Sequence, residues 1–326
     1  MTGLPPLSAP LCDEDLQAHV FRDELGLLVI AFLPLVDVAR AALAVSRGLR
    51  ECARARLAEA WPKLSPLLRA PFGLTTVQLL ELMKLDLNGK QMGDGGMATL
   101  SEAISVGSLD QLSQLLLNNN RIGDGGMQTL ISAVSRGFLT NLMELNLGGN
   151  PFIRASLRIG DGGMAAFSSA VTRGFLKKLQ TLNLNSNIIS DGGMAAFASA
   201  ATRGALGNLE VLSLSNNQIG DAGAQALAGT IAGGSLVKLK CLNLNSNRMG
   251  DGGMEAFASP DTSGAVAKLT HLELYWNCIR DGGMLAFATA VTSASLTALD
   301  FVGLVGNPGN AEPVKVACAA RGIECR

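Results

Sequence analysis

Leu179-Gln180-Thr181-Leu182-Asn183-Leu184, with Asn187 three residues further on, decides the fold of this chain. Leu182 and Leu184 are two apart, so on an extended strand they point to one side while Thr181, Asn183 and Asn185 point to the other. The same Leu-x-x-Leu-x-Leu-x-x-Asn pattern ends at Asn120, Asn150, Asn187, Asn217, Asn247 and Asn277, with a degenerate version at Asn307 and a departure at Lys90. The spacing is 30 residues at every step except Asn150 to Asn187, where it is 37. One unit cannot bury its own leucines. Stacked units can, as a parallel sheet over a shared core, which is the sequence signature of a solenoid.

Seven of the eight strand patterns are followed by Asp with Gly or Ala after it, at Asp94, Asp124, Asp161, Asp191, Asp221, Asp251 and Asp281. The Asp precedes an Ala-rich apolar segment such as Met194-Ala195-Ala196-Phe197-Ala198, which is the place for the N-cap of that segment's helix. The adjoining glycines read as a tight turn. Met127 to Val134 and Met164 to Val171 carry apolar residues at spacings of three and four, as amphipathic helices do. Arg136, Arg173 and Arg203 then precede Gly137, Gly174 and Gly204, giving a basic last turn and a glycine C-cap. Because the strand-end Asn and the Asp recur in unit after unit, they read as structural brackets satisfying backbone groups rather than as one ligand site. One Asp per unit also lacks the dense oxygen spacing of a calcium loop.

These units resemble the leucine-rich repeat, in the long subtype of ribonuclease inhibitor, Ran-type GTPase-activating proteins and innate immune sensors. The resemblance runs over residues 77–307, with 308–326 left as a closing cap. It implies an α/β horseshoe with a parallel concave sheet and convex helices, since strands stack about 4.8 Å apart and packed helices need about 8 to 10 Å.

A net charge of -1 and a pI near 6.2 give no global excess of positive charge to attract a polyelectrolyte, so nucleic acid is not an expected partner. The six cysteines, at 12, 52, 241, 278, 318 and 325, have no ligand-like clustering and read as reduced thiols, although Cys318 and Cys325 are close enough in sequence to pair. Met1 to Pro10 lacks the basic start of a signal peptide. The apolar run Leu27 to Val36 is half of the roughly 20 residues that cross a bilayer. The expected location is cytoplasmic or nuclear, without membrane or cofactor.

Residues 1–22 read as disordered, 23–61 as a small helical module and 62–76 as a linker. Asp23 can cap a helix through Leu33, Pro34 stops it, Asp37 can cap a second through Val45, and Ser46 can open a third reaching Trp61. With Asp23-Glu24-Leu25, Phe32-Leu33-Pro34, Leu35, Asp37-Val38 and Val45-Ser46-Arg47, the module resembles an F-box. In that family such helices dock on the Skp adaptor of cullin-RING ubiquitin ligases, which assigns adaptor docking to Phe32, Leu33, Pro34, Leu35 and Val45. Phe21-Arg22 stands where the family opens with Leu-Pro, and Leu49 stands where it has Trp. The alternative is a helical cap over the first repeat.

Candidate partner-binding residues come from breaks in the periodicity. The outward strand positions are largely Asn and Ser until the seventh unit, which substitutes His271, Glu273 and Tyr275, with Trp276 beside them. Aromatic anchors on a polar face are what a binding hot spot contains. The competing expectation is that they cover the worn end of the sheet. The seven extra residues near Pro151 to Leu157 should project from a rim as a loop carrying Phe152 and Arg154, with Arg158 beyond. Glu273 and His271 share a face, but a strand surface without pocket walls or a nucleophile in register does not support acid–base chemistry. The sequence therefore points to a non-enzymatic scaffold binding a protein on its concave face, with ligase substrate reception as its specific form and regulation of a small GTPase as the alternative.

Overall fold

A computed structural model describes residues 83–105, 109, 111–149, 154–204, 206–259, 268–293 and 296–326. The expectations for residues 1–82, for Asn150 and for Phe152 lie outside these residues. Nine strands form one parallel sheet in chain order: β1 Lys84–Asp86, β2 Gln114–Leu116, β3 Glu144–Asn146, β4 Thr181–Asn183, β5 Val211–Ser213, β6 Cys241–Asn243, β7 His271–Glu273, β8 Phe301–Gly303 and β9 Glu324–Cys325. Among the described residues, eight α-helices alternate with them: α1 Gly93–Ser105, α2 Asp124–Val134, α3 Asp161–Thr172, α4 Asp191–Ala201, α5 Asp221–Ala232, α6 Asp251–Ala258, α7 Asp281–Thr292 and α8 Glu312–Ala319. The architecture is the expected α/β solenoid. The stretch after Asn307 contributes α8 and a ninth strand, paired parallel to β8.

Register follows the leucines. Leu85, Leu115, Leu145, Leu182, Leu212, Leu242 and Leu272 pair in one row, continued by Val302, and all are buried. A second row runs through Leu87, Leu117, Leu147, Leu184, Leu214, Leu244, Leu274 and Leu304. The helices close the core with Met164, Met194, Phe167, Phe197, Phe257 and Phe287, and the Phe167 and Phe197 rings stack with centroids 6.4 Å apart. At roughly 2 kcal/mol per buried Leu, each unit depends on its neighbours for most of its stability.

The strand-end asparagines are the brackets the repeat pattern predicts. Asn187 is 2 % exposed. Its Nδ2 donates to Leu147 O and Leu184 O, each at 3.0 Å, and its Oδ1 accepts Ile159 N–H at 2.9 Å. Asn217, Asn247 and Asn277 repeat this arrangement one unit at a time, each joining backbone groups of its own unit and the one before. Buried backbone groups that leave the sheet at the turn are thereby satisfied.

The Asp residues are not N-caps of their own helices. From Asp124 to Asp281 each is the first helical residue, and in α1 Asp94 is the second, so the helices begin at or before the Asp and its carboxylate reaches the start of the following unit's helix. Asp191 Oδ1 accepts Gly220 N–H at 2.7 Å and Gly223 N–H at 2.9 Å. Asp124 does the same for Gly160 and Gly163, and Asp221 for Gly250 and Gly253. The N-cap positions of α2, α3, α5 and α6 are occupied by Gly123, Gly160, Gly220 and Gly250, which carry no capping side chain, whereas α4 has Ser190, whose Oγ accepts Gly192 N–H at 3.3 Å.

The glycines after each Asp are helical, not turn residues. Their role is to admit the preceding unit's carboxylate. A Cβ on Gly193 would stand 2.6 Å from Asp161 Oδ1, and one on Gly163 2.9 Å from Asp124 Oδ1. The C-terminal glycines do adopt the left-handed cap conformation, with φ of 91° at Gly137, 82° at Gly174 and 80° at Gly204. Their arginines lie at or just past the helix end rather than in the last turn: Arg173 is the C-cap of α3, and Arg136 and Arg203 follow the C-caps Ser135 and Thr202.

Candidate functional site

The outward positions of the sheet form three columns. The first runs Lys84, Gln114, Glu144, Thr181, Val211, Cys241, His271, Phe301, and the second Asp86, Leu116, Asn146, Asn183, Ser213, Asn243, Glu273, Gly303. The third follows one residue beyond the buried second leucine: Asn88, Asn118, Gly148, Asn185, Ser215, Asn245, Tyr275, Val305. Alternation puts His271, Glu273 and Tyr275 on this face together. Their neighbours in the last unit are Phe301, Gly303 and Val305.

The His271 ring stacks on Phe301 with centroids 5.9 Å apart, and its Nδ1 lies 2.9 Å from Thr270 Oγ1. Arg326 holds its guanidinium 5.8 Å from the Phe301 centroid, a cation–π distance. Glu273 is turned away from His271. Its Oε2 accepts from Asn243 Nδ2 at 2.8 Å and Asn245 Nδ2 at 2.6 Å. A carboxylate held by two amides is no general base for an imidazole it does not touch.

Tyr275 and Trp276 have different surroundings. The Tyr275 ring lies over the backbone of β8, where a Cβ on Gly303 would come within 2.4 Å of Cζ. Its phenol is pushed above the ordinary tyrosine value by this burial, with Arg326 acting in the opposite sense. Trp276 reaches over Gly306, yet remains 65 % exposed, with Val305 beside Gly306 at 56 %. Its backbone φ is 57°. The residue before the bracket position, which is Asn except at Lys90, is left-handed in unit after unit: Gly89, Asn119, Ser186, Asn216, Ser246, Trp276 and Gly306. Gly and Asn suit that conformation, whereas a bulky side chain there is an outlier.

Of the insertion, the described residues Arg154 to Leu157 lie back against the preceding unit. Ala155–Leu157 form a 3-10 turn, and Ser156 O would stand 2.8 Å from a Cβ on Gly123, the N-cap of α2. Arg154 is exposed and Arg158 half-buried, both far along the sheet from Trp276. The two groups of candidates therefore do not form one site. Phe301, Val305 and Arg326, which complete the surroundings of His271 and Trp276, escaped the sequence reading because the last unit departs from the repeat. The only available signal was that Phe301 and Val305 occupy outward columns.

Among the described residues, no three His, Cys, Asp or Glu side chains are placed to hold a metal ion, and no helix is long and apolar enough to cross a membrane. Cys241, Cys278, Cys318 and Cys325 are free thiols.

A profile of the family described as Leucine Rich repeat matches residues 175–198, 208–228, 235–258 and 267–288. Over those four segments the repeating units match the leucine-rich repeat. The last matched leucine-rich segment contains His271, Glu273, Tyr275 and Trp276. The functional domain of InlJ from Listeria monocytogenes, described as including a cysteine ladder, is a similar solved structure. It shares 14% identity, the match covers 77% of this chain and 49% of that one, and the TM-score is 0.34. This chain thus spans about half the length of that structure. No curated protein matches the sequence.

Proposed function

We propose that this leucine-rich repeat chain is a non-enzymatic protein-binding scaffold whose recognition surface is the C-terminal end of the sheet, centred on Trp276. Leucine-rich repeats suggest such a role. The observation that carries the location is a bulky, 65 % exposed indole at a left-handed position where other units use Gly, Asn or Ser. Side chains held in an unfavourable conformation collect at functional sites, because there they serve something other than stability. The Tyr275 ring packs over Gly303 of β8, while His271, Phe301 and Arg326 supply a polar and aromatic rim. Buried aromatic anchors inside such a rim carry most of the energy of protein interfaces.

The finer reading, a substrate receptor of a ubiquitin ligase, rests on residues 23–61. In it Phe32, Leu33, Pro34, Leu35 and Val45 dock a Skp-type adaptor and the sheet takes the substrate. Phe32-Leu33-Pro34 and its flanking Leu35 support it. The test measures purified Skp-type adaptor binding to the full chain and to Leu33→Asp and Leu35→Asp, each checked for folding. Binding lost in both variants is the expected result. Equal binding by all three, or none by the unaltered chain, removes the ligase reading and leaves the scaffold.

A further inference from the structure

The outward asparagines of the sheet share a consistent orientation, because backbone N–H groups fix their oxygens. Asn146 Oδ1 accepts Gly148 N–H at 3.1 Å, and Asn183 Oδ1 accepts Asn185 N–H at 2.9 Å. Asn185 Oδ1 accepts Ser215 N–H at 2.7 Å from the next strand. Asn243 Oδ1 accepts Asn245 N–H at 3.0 Å, and Asn245 Oδ1 accepts Tyr275 N–H at 2.8 Å. An amide whose oxygen faces its own backbone turns its NH2 outward, so this face is lined with neutral hydrogen-bond donors.

Two of these donors already hold a carboxylate. Asn243 and Asn245 both donate to Glu273 Oε2, as Gln114 Nε2 donates to Glu144 Oε2 at 2.8 Å. The same pair of asparagines stands two strands earlier, at Asn183 and Asn185. There the register places Ser213 where β7 has Glu273. Ser213 is too short to reach back, and Asn183 and Asn185 keep their NH2 groups turned to the face. Asn146 adds a third donor from β3, and Gly148 leaves the third column without a side chain between Asn118 and Asn185.

From this we infer that Asn183 and Asn185, with Asn146, form a subsite for a carboxylate side chain of an acidic segment in the bound protein, held as Asn243 and Asn245 hold Glu273. The inference rests on the scaffold reading and gives the partner a chemistry. The nearest face carboxylate on β3, Glu144, is turned to Gln114, so it does not occupy the subsite. Hydrogen bonds to a charged acceptor are shorter and stronger than neutral ones, which favours a carboxylate over an amide carbonyl.

The probe is an acetylated, amidated hexaglutamate peptide, titrated into the full chain while the side-chain NH2 resonances of Asn183 and Asn185 are followed. The expected result is a saturable shift of both, with the hexaglutamine counterpart at least about tenfold weaker. Asn183→Asp keeps the oxygen that accepts Asn185 N–H, so the fold is retained. It exchanges the donor for a negative charge and should weaken the peptide about tenfold or more. Ser213→Glu should install an internal carboxylate and abolish the shift. No saturable shift, an equal shift with hexaglutamine, or an undiminished shift in Ser213→Glu overturns the subsite. Partner binding that depends on Trp276 but not on Ser213→Glu would leave the scaffold reading standing while removing this one.

Discussion

Asp191 in α4 caps α5, not its own helix: its Oδ1 receives Gly220 N–H at 2.7 Å and Gly223 N–H at 2.9 Å from the next unit. A motif that recurs along the chain is thus half of a contact whose other half, for Asp191, lies 29 to 32 residues away. Asp191→Ala should cost about 1 to 2 kcal/mol, the range for losing an N-cap. The loss should appear as lowered hydrogen-exchange protection at the start of α5 rather than of α4. Gly223→Ala should also destabilise, since its Cβ would meet Asp191 Oδ1 at 2.6 Å and Ile219 Cγ2 at 2.9 Å. In the double variant the carboxylate clash is gone, so the two costs should sum to less than their separate values. Strict additivity, or loss of protection in α4, would contradict inter-unit capping.

Asn187 joins the units on either side of the insertion, donating to Leu147 O and Leu184 O and accepting from Ile159 N–H. Asn187→Ala leaves buried backbone groups without partners, at about 1 to 3 kcal/mol. Chemical denaturation should show a lower midpoint. A variant of unchanged stability that had lost partner binding would make Asn187 a contact residue instead.

The thiols of Cys318 in α8 and Cys325 in β9 hydrogen-bond to each other, which raises the pKa of Cys318 and lowers that of Cys325. Burial raises Cys241. Alkylation follows the thiolate, so as pH is raised Cys325 should react first, Cys241 later and buried Cys318 last. The two thiols act in opposite senses on stability. The lowered thiol of Cys325 contributes stability that is complete above its unfolded pKa and lost as pH falls through its folded one, whereas the raised thiol of Cys318 contributes stability that is present below its unfolded pKa and lost as pH rises. Site-resolved iodoacetamide labelling between pH 6 and 10 decides it, and simultaneous labelling of Cys318 and Cys325 would refute the pairing.

The leucine period alone carried the strand order, register and core, because side chains that alternate across a strand leave a direct mark on the sequence. The asparagine brackets were legible for the same reason, recurring wherever a turn strands backbone groups. The partner of each Asp was not legible. A carboxylate followed by two glycines is compatible with a local cap and turn, and only the stacking distance between units reveals that the glycines make room for another unit's side chain. Trp276 stood out by composition, but its left-handed backbone did not, since φ at that position is imposed by the turn and not by the residue. The length of the insertion likewise did not disclose that Ser156, near its end, packs back on Gly123.

Trp276→Asn tests the recognition surface, because Asn occupies the equivalent left-handed position at Asn119 and Asn216. The substitution removes the backbone penalty of a bulky residue there, of order 1 kcal/mol, and also removes the indole's contact with Gly306. These effects oppose each other, so the melting temperature should stay within about 2 to 4 °C of the unaltered chain, the shift expected for roughly 1 kcal/mol in a domain of some 150 to 250 residues. A central aromatic anchor contributes about 2 kcal/mol or more to an interface, so a captured partner should bind roughly 30-fold more weakly. Tyr275→Ala should behave differently. Its ring covers Gly303, so both stability and affinity should fall, while Asn118→Ala should leave affinity near that of the unaltered chain. If Trp276→Asn instead lowered the melting temperature by well over that range with affinity intact, the indole would be a cover for the last unit and the partner would bind elsewhere.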